Sequence, residues 1–437
     1  MNLFWKKFTG KLIPTAKFEA LEAELKSSLI RYNEVAKSLE LEEYNKLFHE
    51  VKSAAFIENK KVLQNRKYKD TEEYRDTRKF HKLENSAGIK MYYHVLNTTE
   101  LDAFLAFKAS PEFEDLGDKK KVKVSEKLQE LKKFERSKAF KTYVRFHDSY
   151  IIKEYEQLKK LVNSVDFQKK NEFWANAHRW HTTPEYAKEQ RFYELAKNPD
   201  ILFYLNEKPE RFNAIKSRKE TLVEDFNWNV IDKSRWNIGF YYKNKKMIAN
   251  HSFANEKQAN NSGKNISLEN GILRLATKHE KTTARAWHPT KGFIEQEFQY
   301  TSDVINTADE FRQKFGTISA KLRCTGNINH AFWLGADGKL PHINIFHFDG
   351  KKIKIGNAGK EVMDGVEIKG LNPSQFHVYT LQWTEKELIW KINNLEIYRT
   401  ASNIPKEEMF MVLNSFIPAK KHGSTGYFDV DWIKIYE

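Results

Sequence analysis

The spacing of apolar residues changes once along this 437-residue chain, near residues 218–226, and that change demands two kinds of core. Upstream, Leu, Phe and Tyr recur at helical spacing with almost no glycine. Downstream, short alternating runs are separated by turns such as Asn270-Gly271, Asp337-Gly338, Asp349-Gly350 and Asn393-Asn394. A period near 3.6 buries one stripe of a helix, and a period of 2 buries one face of a strand. The chain therefore reads as a helical part, residues 1–220, followed by an all-β part, residues 224–437, each folding on its own core.

The helical part repeats a short polar cap followed three residues later by an apolar residue. Ser53/Phe56, Ser86/Ile89, Thr98/Leu101, Ser110/Phe113, Ser137/Phe140, Ser149/Ile152, Ser164/Phe167, Thr183/Tyr186 and Asn198/Ile201 all fit. Side-chain oxygens at these caps satisfy the free amides of a helix start, and Pro at the next position is pre-set for the first turn. Aromatic residues fall between caps at Tyr92, Phe104, Tyr143 and Tyr155, and Ser110, Ser137 and Ser164 are evenly spaced. The pattern predicts an array of short helices or a compact bundle, with residues 17–52 as a longer helix or coiled-coil segment. Such arrays present binding surfaces, which implies a protein partner for this half.

Composition removes several function classes. A content of 40% hydrophobic and 14% aromatic residues excludes global disorder, and no apolar run approaches the length of a membrane span. Met1–Phe8 is basic and aromatic without a following apolar region or cleavage site. It reads as a docked first helix, with an interfacial membrane helix as the alternative, and not as a signal peptide. The expected location is cytoplasmic, or outside the cell by release with an assembly. The formal charge of +15 is carried by lysine-rich helices; such helices present solvated faces and imply no specific nucleic-acid site. Cys324 lies in a strand pattern and reads as a packed thiol.

The β-part carries a series of motifs in a fixed order. Glu224-Asp225-Phe226 and Arg235-Trp236 come first, then Leu268-Glu269-Asn270-Gly271-Ile272-Leu273-Arg274-Leu275. Gly316–Leu322, Ala331–Leu334 and His342-Ile343-Asn344-Ile345-Phe346-His347 follow. Phe376–Trp383, Leu388–Asn394 and Phe428–Tyr436 close the series. This order resembles the laminarinase-like glycoside hydrolases (family 16) over about residues 224–437, and implies a concanavalin A-like jelly-roll sandwich. In that family the central strand reads E-I-D-I-x-E and carries the nucleophile, a helper Asp and the acid/base. The three acidic positions here read His342, Asn344 and His347. A retaining glycosidase needs one ionised and one protonated carboxyl, so the resemblance implies ancestry and not activity.

The family's strand carries a β-bulge that turns all three positions toward a concave groove. If it is present here, His342, Asn344 and His347 converge there with Trp333, Trp287 and His330 as further contacts and Trp236 as a third platform. Four readings follow. The favoured one is a non-catalytic carbohydrate-recognition module for a polysaccharide or glycan, and the runner-up is a structural or scaffold part of an assembly such as a virus particle. A third is a β-glycan hydrolase with displaced acids at Asp337, Asp349 or Glu361. A fourth is a transition-metal site at His342 and His347 with His330, for which chance clustering is the plainer account. No cofactor is required; the resemblance also implies a structural calcium held by Glu224 or Asp225, Gly271 and Asp431.

Overall fold

A computed structural model describes residues 2–242, 251–338, 340–359 and 362–437. The chain divides into two compact units, one of Tyr32–Glu207 and one of Met1–Arg31 with Lys208–Glu437. The sequence pattern put one boundary near residues 218–226. The structure instead groups the first 31 residues with the β-part, because apolar side chains there fill the sandwich: Leu3 and Leu12 belong to its main core cluster. A periodicity argument sees a helix, but not which core that helix serves.

The helical unit is a folded-back bundle and not a solenoid. Leu39–Val51 packs against Pro184–Leu195, Glu72–Glu84 against Tyr150–Val162 and Val165–Ala175, and Ala87–Leu96 against Lys138–Phe146. Thr99–Lys108 packs against Glu126–Glu135. Early and late helices thus pair in nested order, and three core clusters follow one another: around Leu47 and Phe192, around Tyr92 and Tyr155, and around Phe104 and Leu131. All nine expected caps stand at helix or 3₁₀ starts. Seven accept the expected backbone amide; Ser137, for example, takes Phe140 N at 3.0 Å. Thr98 and Ser110 do not, and their hydroxyls donate instead to Val95 O at 2.7 Å and Phe107 O at 2.8 Å. Ser38, Thr71 and Ser125 are further caps of the same kind. The long helix expected over 17–52 is interrupted: one helix ends at Val35, and Ser38 caps the next.

In the other unit, α1 (Phe4–Phe8) and the part of α2 (Thr15–Val35) up to Arg31 precede the strands. The first nine strands are β1 (Glu220–Glu224), β2 (Asn237–Ile238), β3 (Ser252–Phe253), β4 (Gln258–Asn260), β5 (Ile266–Glu269), β6 (Ile272–His288), β7 (Gly292–Ser302), β8 (Val304–Asn306) and β9 (Gly316–Cys324). Then come β10 (Asn329–Gly335), β11 (His342–Phe348), β12 (Ile353–Ala358), β13 (Asp364–Ile368), β14 (His377–Trp383), β15 (Leu388–Ile392), β16 (Leu395–Thr400), β17 (Phe410–Phe416) and β18 (Gly426–Tyr436). They form two sheets. One runs β16-β15-β14-β9-β18-β6-β7-β4, with β1, β3 and β5 attached, and the other runs β13-β12-β11-β10-β17-β8-β2.

Alternation explains the sandwich. Ile318, Ala320, Leu322 and Cys324 of β9 face inward and meet Phe332, Leu334, Ile343 and Phe346 of the second sheet in one cluster. Cys324 is buried, and burial pushes its thiol far above the ordinary range, so it is a packed thiol as expected. The expected Asn-Gly turn joins β5 to β6 with Asn270 and Gly271 both at positive φ, 54° and 73°. A side chain on Gly271 would strike Asn227 Oδ1 at 2.8 Å. The edge of the second sheet extends into the N-terminal segment, where Leu3 N donates to Lys369 O at 2.8 Å and Asn2 bridges Lys369 in parallel.

Candidate functional site

Strand β11 places the groove side chains, and a bulge makes it possible. Phe332 pairs with Phe346 and Trp333 with Asn344, so Ile345 is an extra residue opposite β10; the same shift appears against β12. Ile343, Ile345, Phe346 and Phe348 consequently all face the core, which turns His342, Asn344 and His347 to the other face. Without the extra residue, His347 would lie on the face opposite His342 and Asn344. The neighbouring β10 contributes Ala331 and Trp333 to the same side, and β17 contributes Asn414 and Phe416.

These residues line a cavity of ≈ 490 Å³ with Glu256 and Lys354, and it adjoins a second cavity of ≈ 480 Å³ lined by Tyr241, Asp337 and Phe410. Trp333, His342, Phe240 and Phe253 border both. The Trp333 ring stacks on His342 with centroids 4.6 Å apart, and its indole N–H donates to Asn414 Oδ1 at 3.0 Å. His342 Nε2–H donates to Asn344 Oδ1 at 2.8 Å, and His347 Nε2 accepts from Asn329 Nδ2 at 3.3 Å. Both imidazoles are neutral at pH 7. Burial lowers the His342 pKa against the opposing Asn344 contact. Burial first, then the Lys354 charge, brings His347 down to about 4. Beside Asn344 the sheet row continues as Gly356 and Gly365, which present no side chain.

The carboxyl in this cavity is one the sequence did not reveal. Glu256 sits in the β3–β4 connection, tied down where Lys257 N donates to Ile417 O at 2.8 Å and Ala419 N to Asn255 O at 3.0 Å. Burial raises its pKa to about 7, against the Gln258 amide, which donates to Oε2 at 2.6 Å. Only the fold of two loops brings it to the groove, so no local motif could have shown it. Asn414 and Phe416 were accessible in principle, as alternate positions of a strand next to β10.

Several expected site residues lie elsewhere. His330 faces the sandwich interior between Phe348 and Phe428; it takes a hydrogen bond from Ser415 Oγ at 2.8 Å and donates to Thr325 O at 2.9 Å. Its neighbours Asn329 and Ala331 have the opposite orientation, so β10 alternation excludes it from the groove. Burial lowers its pKa to about 4. Trp287 packs on Phe293 in the β6–β7 hairpin and lines neither cavity. Trp236 is a core residue beside Phe226. Asp337 lines the second cavity but pairs with Arg312 at 2.8 Å. Asp349 caps its own turn. Burial raises its pKa, but the Lys352 amide, the Lys354 ammonium and the Lys351 amide outweigh that and bring it to about 2. Glu361 lies outside the described residues.

Neither expected metal set converges. With His330 turned inward, His342 and His347 have no third ligand, and the described residues contain no group of three or more His, Cys, Asp or Glu suited to a metal. Glu224 accepts from the indoles of Trp228 at 3.0 Å and Trp236 at 3.3 Å, and Asp225 holds Asn227. Asp431 faces Lys321, whose ammonium lies 2.9 Å from both Asp431 and Glu19. The carboxylates of the expected calcium set thus face different partners: two indoles at Glu224, Asn227 at Asp225 and Lys321 at Asp431.

Comparison with known proteins places the similarity in the C-terminal half. The chain is 25% identical over 190 residues to the endo-1,3-1,4-beta-glycanase ExsH of Rhizobium meliloti, a match covering 39% of each protein. It is 21% identical over 216 residues to the beta-glucanase of Brevibacillus brevis, covering 48% of this chain and 76% of that enzyme. The match thus spans 39% of the length of the Rhizobium relative. Among solved structures, the laminarinase catalytic domain of Thermotoga maritima is 18% identical, with a TM-score of 0.41 over 51% of this chain and 98% of that domain. The laminarinase of Flavobacterium sp. UMI-01 is 20% identical, with a TM-score of 0.39 over 50% of this chain and all of that one. No family model matches the chain. Among the described residues, no helix is long and apolar enough to cross a membrane.

Proposed function

We propose that the groove binds a β-glucan-type polysaccharide without cleaving it. One observation carries this reading: the bulged strand presents two neutral imidazoles and an amide, His342, Asn344 and His347, on the groove face. Attack on a glycosidic bond and protonation of its leaving oxygen call for an ionised and a protonated carboxyl, and neutral imidazole and amide supply neither. They do supply donors and acceptors for sugar hydroxyls. Trp333, fixed by Asn414 and His342, offers the flat apolar face that packs against a pyranose ring. A cavity of ≈ 490 Å³ bordered by aromatic rings with a few polar groups suits one or two such rings. The curated relatives are named as glycanases and a glucanase, which supports the same class of ligand.

A second reading rests on Glu256. A carboxyl held near neutrality in the groove is suited to donate a proton, and it would replace Asp337 and Asp349 as the displaced acid. The two readings separate in one experiment. The full chain is screened on a glycan array and incubated with laminarin, lichenan, agarose and carrageenan. Specific binding that Trp333→Ala abolishes, with no release of reducing ends, is the expected result. Reducing-sugar release that Glu256→Gln abolishes would establish the displaced-acid hydrolase, and silence on the array would favour a scaffold.

A further inference from the structure

The outer face of the β9/β18 sheet carries a row of side chains with no part in the groove. Lys434 of β18 pairs with Ser319 of β9, Ser319 with Thr380 of β14, and Thr380 with Lys391 of β15. Their sequence neighbours Ile433, Ile318, Leu381 and Ile392 face the core, so all four lie on the opposite face. The two central hydroxyls meet at 2.9 Å. Phe18 and Glu22 of α2, together with Arg218, also line the cavity over this row, which has a volume of ≈ 50 Å³.

The charges in this cavity do not balance. Its carboxylate, Glu22, accepts from Arg218 Nη1 at 3.0 Å and is already neutralised. Lys391 is half-buried and forms no ion pair or side-chain hydrogen bond among the described residues. Its cross-strand neighbour Glu396 is held by both arms of Arg399, at 3.1 and 2.8 Å. Burial depresses the Lys391 pKa, and Glu396 opposes that while Arg399 and Arg218 reinforce it. Lys434 lies over the Trp432 ring, 4.5 Å from its centroid, and likewise has no carboxylate partner among the described residues. Desolvating an ammonium without a counter-charge is costly, and both lysines line the cavity with a pair of hydroxyls, one of which donates to the other and leaves the second O–H free for a ligand. The lysines start about 14 Å apart, three strand spacings, and both line the cavity together with Ser319 and Thr380.

We propose that this cavity is an anion site for a small tetrahedral oxyanion, inorganic phosphate or sulfate, held by Lys391 and Lys434 with the Ser319 and Thr380 hydroxyls. The overlying α2 residues and the small volume favour a free ion over a substituent on a polymer. Charge-assisted hydrogen bonds from ammonium and hydroxyl groups are what such an ion accepts.

Isothermal titration calorimetry and thermal melts of the full chain test this, with sodium phosphate and sodium sulfate compared against sodium chloride at matched ionic strength. One phosphate or sulfate per chain should bind and raise the melting temperature beyond the chloride effect. Lys391→Met should weaken binding about tenfold or more, while Lys386→Met, on an exposed turn, should not change it. In the absence of oxyanion, Lys391→Met should melt no lower than the parent, because it removes an uncompensated charge. Lys434→Met and Thr380→Val provide independent variants should Lys391→Met fail to fold. Equal responses to phosphate, sulfate and chloride would overturn the proposal. So would phosphate affinity unchanged in Lys391→Met, or a lowered melting temperature there without loss of affinity, which would mark a purely structural lysine.

Discussion

Replacing Leu3 by Ala should destabilise the sandwich as severely as a central core truncation, although Leu3 lies far in sequence from the strands it packs against. Its side chain is fully buried, at 0% exposure, in the same cluster as Phe332 and Leu381. Truncating a fully buried Leu removes its transfer energy and leaves a cavity, which together cost about 2–5 kcal/mol. That is a large share of the roughly 5–15 kcal/mol by which a typical domain is stable. Phe8, the last residue of α1 and 80% exposed, is the control; Phe8→Ala should change stability by less than about 0.5 kcal/mol. The assay is urea unfolding of the full chain followed by tryptophan fluorescence, where the transition of the sandwich should shift with Leu3→Ala and stay in place with Phe8→Ala. A fragment of residues 224–437 lacks Leu3, Leu12 and β1, together with the hydrogen bonds from Asn393 Nδ2 to Ile13 O at 2.9 Å and from Thr15 Oγ1 to Phe376 O at 2.7 Å. It should therefore fail to unfold cooperatively. Equal effects of Leu3→Ala and Phe8→Ala, or a 224–437 fragment as stable as the sandwich in the full chain, would refute this account.

In the helical unit, Ser137→Ala and Ser164→Ala should each cost about 1 kcal/mol, since these hydroxyls accept Phe140 N at 3.0 Å and Phe167 N at 3.3 Å. Ser110→Ala, which removes no cap bond, should cost less by the same melt. Glu256 titrates near 7 when folded and near the ordinary carboxyl value when unfolded. Its contribution is then most favourable below the unfolded value and is lost as the pH rises from about 4.5 through 7, by at most about 3 kcal/mol. Glu256→Gln should accordingly gain stability over the parent at pH 8 and show no gain at pH 4; the reverse order would be fatal to the buried-acid assignment. His347, lowered to about 4, works in the opposite sense, because its stabilising neutral form is lost as the pH falls from about 6.5 through 4.

What the sequence made legible follows from locality. Caps such as Ser137, turns such as Asn270-Gly271 and strand alternation in β9 are each decided within a few residues, and the structure shows all of them. The groove face of β11 was readable only through the family's bulge, since plain alternation would have separated His347 from Asn344; the extra residue Ile345 supplies that bulge. His330 is close to the groove residues in sequence, but its parity on β10 turns it to the interior. Glu256 and the outer-face row of Lys434, Ser319, Thr380 and Lys391 depend on residues brought together from distant segments, and no periodicity records such meetings. The partner of Asp431 was hidden for a similar reason: Asp431 is the extra residue of a bulge in β18 and faces Lys321, a contact between strands and not within one.

The attachment of Leu3 to Lys369 and of Ile13 to Asn393 also bears on how the protein is made. A ribosome releases Leu3 and Ile13 long before the strands that receive them, and the whole helical unit is synthesised in between. At about 5–20 residues per second, the N-terminal segment waits roughly 20–70 s with its aromatic and leucine side chains uncovered. The helical unit can complete its own fold during that interval, so the order of maturation is the reverse of the order of synthesis: residues made before that unit are buried after it. Chaperone dependence during synthesis should therefore concentrate on this short segment around Leu3 and Ile13.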